Sequence, residues 1–272
     1  MFDWLTEMLS YQFMTRALIV GVLISLCSAL LGVSLVLKRY SMIGDGLSHV
    51  GFGSLAIATA LGWAPMAVTI PAVMLSAFLL LRLNNRSKVG GESAIAMLST
   101  GALAVGVIAL TLGKGMTGSV SSYLFGSVLA MPGSDVSLTV VLSAGVLILF
   151  LLFYRPIFSI TFDETFARAT GNYAGKCNIL LALMTALVIV LGMRVMGTML
   201  ISGLILFPPL SAMRLCRRYR QVTIVSGILS VVCYVVGLCV SYLADIPTGA
   251  TVIVMNLLVY LLCTGIAKIR QR

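Results

Sequence analysis

Asp45 and His49 are the residues of this 272-residue chain whose types and spacing best suit chemistry. His49 is the only histidine in the sequence, and it follows an acid by four residues inside an otherwise apolar run. In a helix, side chains four residues apart lie on one face. A carboxylate oxygen and an imidazole nitrogen placed in this way can bind one divalent first-row cation at about 2.0–2.2 Å. The spacing therefore indicates a metal-handling pair.

Other interpretations of the pair stay open at this point. Asp45 could cap a helix that begins at Gly46, and His49 could hydrogen-bond a neighbouring backbone group. An intramembrane metalloprotease would also need metal ligands, but the sequence has no second histidine and no H-E-x-x-H motif. Two ligands are too few for a tetrahedral zinc site, which takes four protein ligands or three and a water. We therefore expect a homodimer in which two copies of the pair meet at a twofold axis.

The composition indicates the kind of protein that must position this pair. Hydrophobic residues make up 60% of the chain and charged residues 10%, whereas a soluble domain carries about 25% charged residues; the mean hydropathy is +1.11. Apolar windows long enough to cross a bilayer core of about 30 Å recur along the chain. They are continuous and lack the alternation of barrel strands. We predict an all-α integral membrane protein, a polytopic bundle of eight or nine transmembrane helices forming one domain over residues 1–272. The windows are 17–37, 43–62, 64–81, 93–112, 135–154, 178–193, 197–213, 222–243 and 249–266.

The basic residues predict the orientation of the bundle. With nine spans, fifteen of the eighteen Lys and Arg residues fall in loops on one side, and Arg16, Lys114 and Arg194 fall on the other. Basic loops remain in the cytoplasm, so we expect a multi-pass protein of the bacterial plasma (inner) membrane with its C-terminus inside. The net charge of +10 then reflects topology and does not indicate nucleic-acid binding. Residues 1–15 mix aromatic and acidic side chains, which favours a retained interfacial segment rather than a signal peptide.

Prolines, acids, glycines and cysteines elsewhere in the chain lead to further expectations. Pro208-Pro209 lies inside an apolar window, where two missing backbone donors should kink or interrupt the helix. Asp135 and Asp245 are expected in outer loops, either as solvated acids or as contacts for an external partner. The glycines around the pair would permit close approach of a neighbouring helix or serve ordinary bundle packing. The six cysteines show no C-x-x-C spacing and are expected to be packing residues.

A cytoplasmic loop contains a short helix with its own start and stop signals, predicted over residues 161–171. Thr161 as N-cap with Glu164 three residues later would form a capping box, and Gly171 suits a left-handed C-cap. Phe162 and Phe166, four residues apart, would share one face. Exposed aromatic side chains on such a helix need a surface that buries them. We expect either the lipid surface or another protein.

Four stretches together resemble the permease subunits of zinc, manganese and iron ABC importers. Leu35 to His49 is similar to their metal-pathway signature and Phe162 to Gly171 to their coupling segment. Val195 to Pro208 and Asp245 to Thr251 are similar to two further family motifs, in family order. The resemblance implies a type II importer permease in which Asp45 and His49 coordinate the transported metal. It also implies that the coupling segment docks the ATPase, and its matching residues are Phe162, Asp163, Glu164, Phe166, Ala167, Arg168 and Gly171.

The resemblance also implies partners: a second copy of the chain, cytosolic ATP-binding subunits and an extracellular or periplasmic metal-binding protein. The sequence has no G-x-x-x-x-G-K-[ST] phosphate loop, so we expect a non-enzymatic transport subunit whose ATP is hydrolysed by a partner chain. No permanent cofactor is expected, only the transported ion. Zinc is favoured slightly because Tyr123 to Gly126 resembles zinc-type relatives, with manganese and iron close behind. The alternative is an ion-coupled secondary transporter, which would need no ATPase.

Overall fold

The computed structural model describes residues 10–84, 91–112, 133–169, 174–198 and 200–270, and this part of the chain is helical without strands. Two of its helices are short and lie in one connection, and nine are long. In chain order the helices are α1 (Gln12–Leu37), α2 (Ser41–Ala60), α3 (Pro65–Asn84), α4 (Gly91–Leu112), α5 (Gly133–Leu152), α6 (Tyr154–Phe162), α7 (Glu164–Ala169), α8 (Ala174–Met196), α9 (Ile201–Leu215), α10 (Tyr219–Ala244) and α11 (Thr248–Arg270).

Each of the nine apolar windows lies on one of the nine long helices in the described part of the chain, which confirms the polytopic helical fold. Seven of these helices are long and apolar enough to cross a membrane. Of the other two, α9 has 15 residues and α2 has 20. Because α2 contains Asp45, His49 and several glycines, it is less apolar than the others. Its neighbours α3, α4, α8 and α9 pack around it, so little of it needs to face lipid.

The core of the bundle is formed around α1 and α8. Buried residues make up 67% and 72% of their apolar windows, against 17% for α4. α1 packs against α5, α8, α9 and α10, and α8 also packs against α2 and α3. α4 and α11 lie at the periphery, with large apolar side chains such as Met97 and Leu262 exposed. The pair-bearing helix α2 is therefore fixed on one side by the most buried part of the fold.

Glycines let α2 approach α4 closely. A Cβ on Gly53 would lie 2.5 Å from the carbonyl oxygen of Ala102, and one on Gly106 would lie 2.9 Å from the Cα of Gly53. A Cβ on Gly46 would lie 2.6 Å from the Ile95 side chain. Since the first two obstacles are backbone atoms, they cannot move aside without shifting a helix. Close helix approach is thus the structural role of these glycines.

Gly53→Ala is expected to destabilise the protein by about 1–3 kcal/mol, the usual cost of overpacking a dense interface. The matched control is Gly101→Ala on α4, because nothing lies within 4 Å of its added Cβ. Gly101→Ala should be neutral or stabilise the helix by up to about 1 kcal/mol. Thermal unfolding of the purified proteins in detergent checks both. Equal melting temperatures for the two variants would show that α2 and α4 are not in this contact.

The connection between α1 and α2 is a tight, hydrogen-bonded turn. The Arg39 N–H donates to Val36 O (3.1 Å) and the Tyr40 N–H to Leu35 O (2.8 Å), the two bonds of a Schellman motif. Arg39 occupies the left-handed position with φ of 59°, where glycine is usual. Only three residues separate the two helices, so the end of α1 and the start of α2 form one rigid corner.

The structure contradicts an interruption of the helix at Pro208-Pro209, which was one of the two expected outcomes. α9 is one continuous helix from Ile201 to Leu215, with both prolines inside it and buried. Because Pro209 has no N–H, the carbonyl of Ile205 loses its intrahelical donor. α1 approaches this carbonyl so closely that a Cβ on Gly32 would lie 2.1 Å from it. Tight packing against α1 thus accommodates the prolines within a short, uninterrupted helix.

The cysteines, the breaks between apolar windows and the N-terminal segment can be compared with their sequence-based expectations only where the structure describes them. All six cysteines are free thiols, and four of them are buried. The predicted breaks after α2 and α8 are present, each with a glycine of positive φ: Gly62 (71°) and Gly197 (89°). Residues 1–9 of the expected interfacial segment and Tyr123 to Gly126 lie outside the described residues. Residues 12–15 belong to α1.

Candidate functional site

Asp45 and His49 lie one turn apart in the first half of α2. The His49 Nε2 atom is 3.7 Å from Asp45 Oδ2, and the side chains are 13% and 40% exposed, respectively. This distance is too long for a hydrogen bond, which would need about 2.7–3.2 Å. It is shorter than two metal–ligand bonds of about 2.0–2.2 Å laid end to end. One cation can therefore contact both atoms without any movement of the helix.

The bonding around the pair contradicts the capping interpretation. α2 begins at Ser41, so Asp45 lies inside the helix and cannot cap one that begins at Gly46. The Nδ1 atom of His49 is buried and has no hydrogen-bond partner among the residues that the structure describes. If His49 only hydrogen-bonded a neighbouring backbone group, this buried nitrogen would normally have a partner. The geometry leaves His49 available for a ligand.

One copy of the chain brings together only two candidate metal ligands among the described residues. In the described ranges, no three His, Cys, Asp or Glu side chains come together in an arrangement that could hold a metal ion. Met42, Asp45 and His49 follow one face of α2, and Met42 is 52% exposed. A carboxylate in a membrane helix is costly if it faces lipid. The open side of this face is therefore where further ligands would have to enter.

The connection between α5 and α8 folds as two short helices, α6 and α7, instead of the predicted single helix. Asp163, in extended conformation, is the N-cap of α7: its Oδ1 accepts a hydrogen bond from the Phe166 N–H at 2.9 Å. Thr161 lies within α6 and donates its hydroxyl to Ile157 O at 2.6 Å. The predicted Thr161 capping box is therefore wrong. Asp is as good an N-cap as Thr, and the sequence alone does not separate the two registers.

The two predicted docking phenylalanines belong to different helices but are equally exposed. Phe162 ends α6 and Phe166 lies in α7, and each is 62% exposed. The Phe162 ring contacts those of Phe158 and Tyr219, with centroids 5.0 and 5.9 Å away. Ala167 is buried against Ile160 and Cys177, so it holds the segment to the bundle and does not face outward. Gly171 lies outside the described residues.

A buried cation joins this segment to the α1–α2 corner. The Lys38 Nζ donates to Asn178 Oδ1 (2.5 Å) and Ile160 O (3.2 Å) and lies 3.5 Å from Glu164 Oε2. Burial lowers the pKa of Lys38, opposed by the charge of Glu164. Burial alone would raise the pKa of Glu164, but hydrogen bonds from Asn178 and Arg168 and the charge of Lys38 hold it below its usual value. Glu164 therefore stays an anion. The sequence identified Lys38 only as a topology marker.

At the other end of the bundle, Asp135 is not a free loop acid. Its Oδ2 atom accepts a hydrogen bond from the Arg194 guanidinium at 2.5 Å, and both side chains are about four-fifths buried. The pair joins the start of α5 to the end of α8. The expectation of a solvated or partner-binding acid is therefore wrong for Asp135. The sequence could not indicate this pairing, because its two residues are 59 positions apart and leave no local signal. Asp245 ends α10 in the left-handed region with φ of 52°.

Comparisons with known proteins agree with this architecture. A family model described as ABC 3 transport family matches residues 10–267. The chain is 27% identical to the manganese transport system membrane protein MntC of Halalkalibacterium halodurans, over 92% of this chain and 85% of that protein. It is 29% identical to a Haemophilus influenzae protein named "Probable iron transport system membrane protein" over the full length of both. The structure of PsaBC from Streptococcus pneumoniae in complex with Fab has a similar fold, with a TM-score of 0.86 and 24% identity over 96% of this chain and 94% of that one.

Proposed function

Because the chain belongs to the ABC 3 transport family, whose members similar to it include named metal permeases, we propose that Asp45 and His49 carry a divalent metal ion across the membrane. The observation that carries this proposal is the geometry of the pair. Two ligand atoms lie 3.7 Å apart, and the second nitrogen of His49 is buried without a partner in the described structure. Intramembrane ionisable groups of this kind mark ion pathways.

The complete pathway is formed by two copies of the chain. One copy supplies two ligands, and the exposed side of Asp45 would otherwise meet lipid. A twofold axis beside this face of α2 brings two carboxylates and two imidazoles around one ion, the number that a tetrahedral site needs. Such a site binds the ion only transiently, because transport requires release.

The cargo is a first-row divalent cation, and we place manganese first. Carboxylate and imidazole ligands suit manganese, ferrous iron and zinc alike. The expectation of zinc depended on Tyr123 to Gly126, which lie outside the described residues. Relatives matching more than nine-tenths of this chain are named for manganese and iron, which supports these two ions ahead of zinc.

ATP is hydrolysed by a cytosolic partner that docks on α6 and α7, and an external metal-binding protein delivers the ion. The exposed Phe162 and Phe166 provide the apolar contact for the ATPase. The excess of Lys and Arg in the loops on this side supports a cytoplasmic orientation, shared with the C-terminus, in the bacterial inner membrane. The ion-coupled secondary transporter would need no protein docked on these side chains.

Metal uptake into reconstituted vesicles tests the proposed function. The chain is purified with the ATPase and the metal-binding protein of the neighbouring genes and reconstituted with ATP on the docking side. We expect ATP-dependent import of manganese, with iron competing more strongly than zinc. Import that requires a proton or sodium gradient and proceeds without ATP would establish the secondary transporter. Preference for zinc would overturn the assignment of the cargo and leave the rest of the proposal standing.

A further inference from the structure

Lys38 is a buried cation with contacts to three separate helices. Its side chain is 6% exposed. The ammonium group contacts Ile160 at the end of α6, Glu164 at the start of α7 and Asn178 on α8. Asn178 also hydrogen-bonds Glu164, so the three side chains Lys38, Asn178 and Glu164 form a closed network. Glu164 belongs to α7, so the network includes part of the α6–α7 segment.

The backbone of Lys38 is tied to the helix that carries the metal pair. Lys38 is the C-cap of α1, and the Schellman turn through Arg39 and Tyr40 leads into α2 at Ser41. The metal pair begins four residues later, at Asp45. A displacement of Lys38 therefore displaces the start of α2, since the two residues between them, Arg39 and Tyr40, are both held by hydrogen bonds of the turn.

We propose that Lys38 is a positioning residue that transmits movement of the α6–α7 segment to α2, and so couples the ATPase to the Asp45–His49 pair. This inference rests on the proposed function. An ammonium group pulled away from its partners in a buried site would be left uncompensated. The corner and the segment must therefore move together. α6 and α1 also share a hydrophobic cluster that includes Ile157 and Leu31, but apolar contacts do not fix direction as a hydrogen-bonded charge does.

The test compares the number of metal ions imported per ATP hydrolysed in the reconstituted complex. Lys38→Met keeps the length of the side chain and removes the charge, so we expect the ratio to fall about tenfold, within the range of measured allosteric couplings. ATPase binding should persist, because Phe162 and Phe166 are unchanged. Lys38→Arg restores a cation and at least half of the ratio. Lys268→Met, at an exposed site on α11, is the matched control and leaves the ratio unchanged.

An unchanged ratio in Lys38→Met overturns the inference about Lys38. If the wild-type complex imports no metal with ATP, the proposed function itself has failed, so the two failures are distinguishable. A purely structural role would lower the amount of assembled complex and leave the ratio of the surviving complex normal.

A distance measurement on the protein with Lys38 intact decides the question if Lys38→Met does not assemble. Spin labels on unnatural amino acids at Leu37, at the end of α1, and at Thr165 of α7, both exposed, report the separation of the corner and the segment. Between nucleotide-free and ATP-trapped states we expect this separation to change by less than about 2 Å, the scale of shifts between packed helices. A larger change would show that the two elements move independently and would overturn the inference.

Discussion

His49→Ala and Asp45→Asn are each expected to reduce ATP-driven metal uptake by at least about 100-fold, because substitutions even in the outer shell of metal sites cost about 10–100-fold. In the proposed dimer each substitution changes two of the four ligands: His49→Ala removes both imidazoles, and Asp45→Asn removes both carboxylate charges. Neither change should unfold the protein: the two side chains make no mutual hydrogen bond at 3.7 Å. Uptake of isotope-labelled metal by cells that depend on this transporter measures the effect.

Asp245→Asn is the matched control for the pair. It makes the same change of charge at a helix end, where Asn also tolerates the left-handed conformation that Asp245 adopts. Its uptake should equal that of the wild type. If Asp45→Asn and His49→Ala proteins reach the membrane at normal levels and import more than half as much metal as the wild type, the pair is not the pathway site.

Replacing Phe162 and Phe166 together by Ala is expected to abolish co-purification of the ATPase. Each ring is 62% exposed, and burying that much of a phenylalanine contributes about 1–2 kcal/mol. The double substitution should therefore weaken the complex by roughly 30- to 1000-fold. Pull-down from detergent extracts measures it, and metal uptake should be lost in parallel.

Trp63→Ala is the control for this experiment, because Trp63 is a similarly exposed aromatic side chain, at 58%, between α2 and α3. With that loop on the opposite side of the membrane, its substitution should leave the ATPase bound. Equal retention of the ATPase by the double variant and by Trp63→Ala would refute docking through α6 and α7.

The sequence was sufficient to predict the long helices and the placement of Asp45 and His49 on one helix face, because both depend on local patterns. Windows of about 20 apolar residues correspond to long helices, and the breaks at Gly62 and Gly197 follow from the ability of glycine to adopt a positive φ. The spacing of Asp45 and His49 fixes their relative position once α2 is a helix. Their placement on one face, confirmed by the 3.7 Å separation, needed no tertiary information.

Contacts between distant residues were beyond prediction from one sequence. Lys38 and Asn178 are 140 positions apart, and no local pattern indicates that a lysine at the end of a span is buried. Pro209 leaves Ile205 O without its intrahelical donor, and the close approach of Gly32 to this oxygen is also a long-range contact. The prediction of the N-cap of α7 failed for a different reason. Thr161 and Asp163 are both good N-caps, and the packing of Ala167 against Ile160 favours the register in which Asp163 is the cap.

Pulsed electron paramagnetic resonance of bound manganese tests most directly whether two copies of His49 bind one transported ion. Because His49 is the only histidine in the chain, isotope-labelled histidine incorporated into a permease without a histidine tag reports on this residue alone once the partner subunits are added unlabelled. We predict hyperfine coupling of one manganese ion to two equivalent imidazole nitrogens, lost in His49→Asn. Coupling to one nitrogen, or a signal that His49→Asn leaves unchanged, would contradict the shared site.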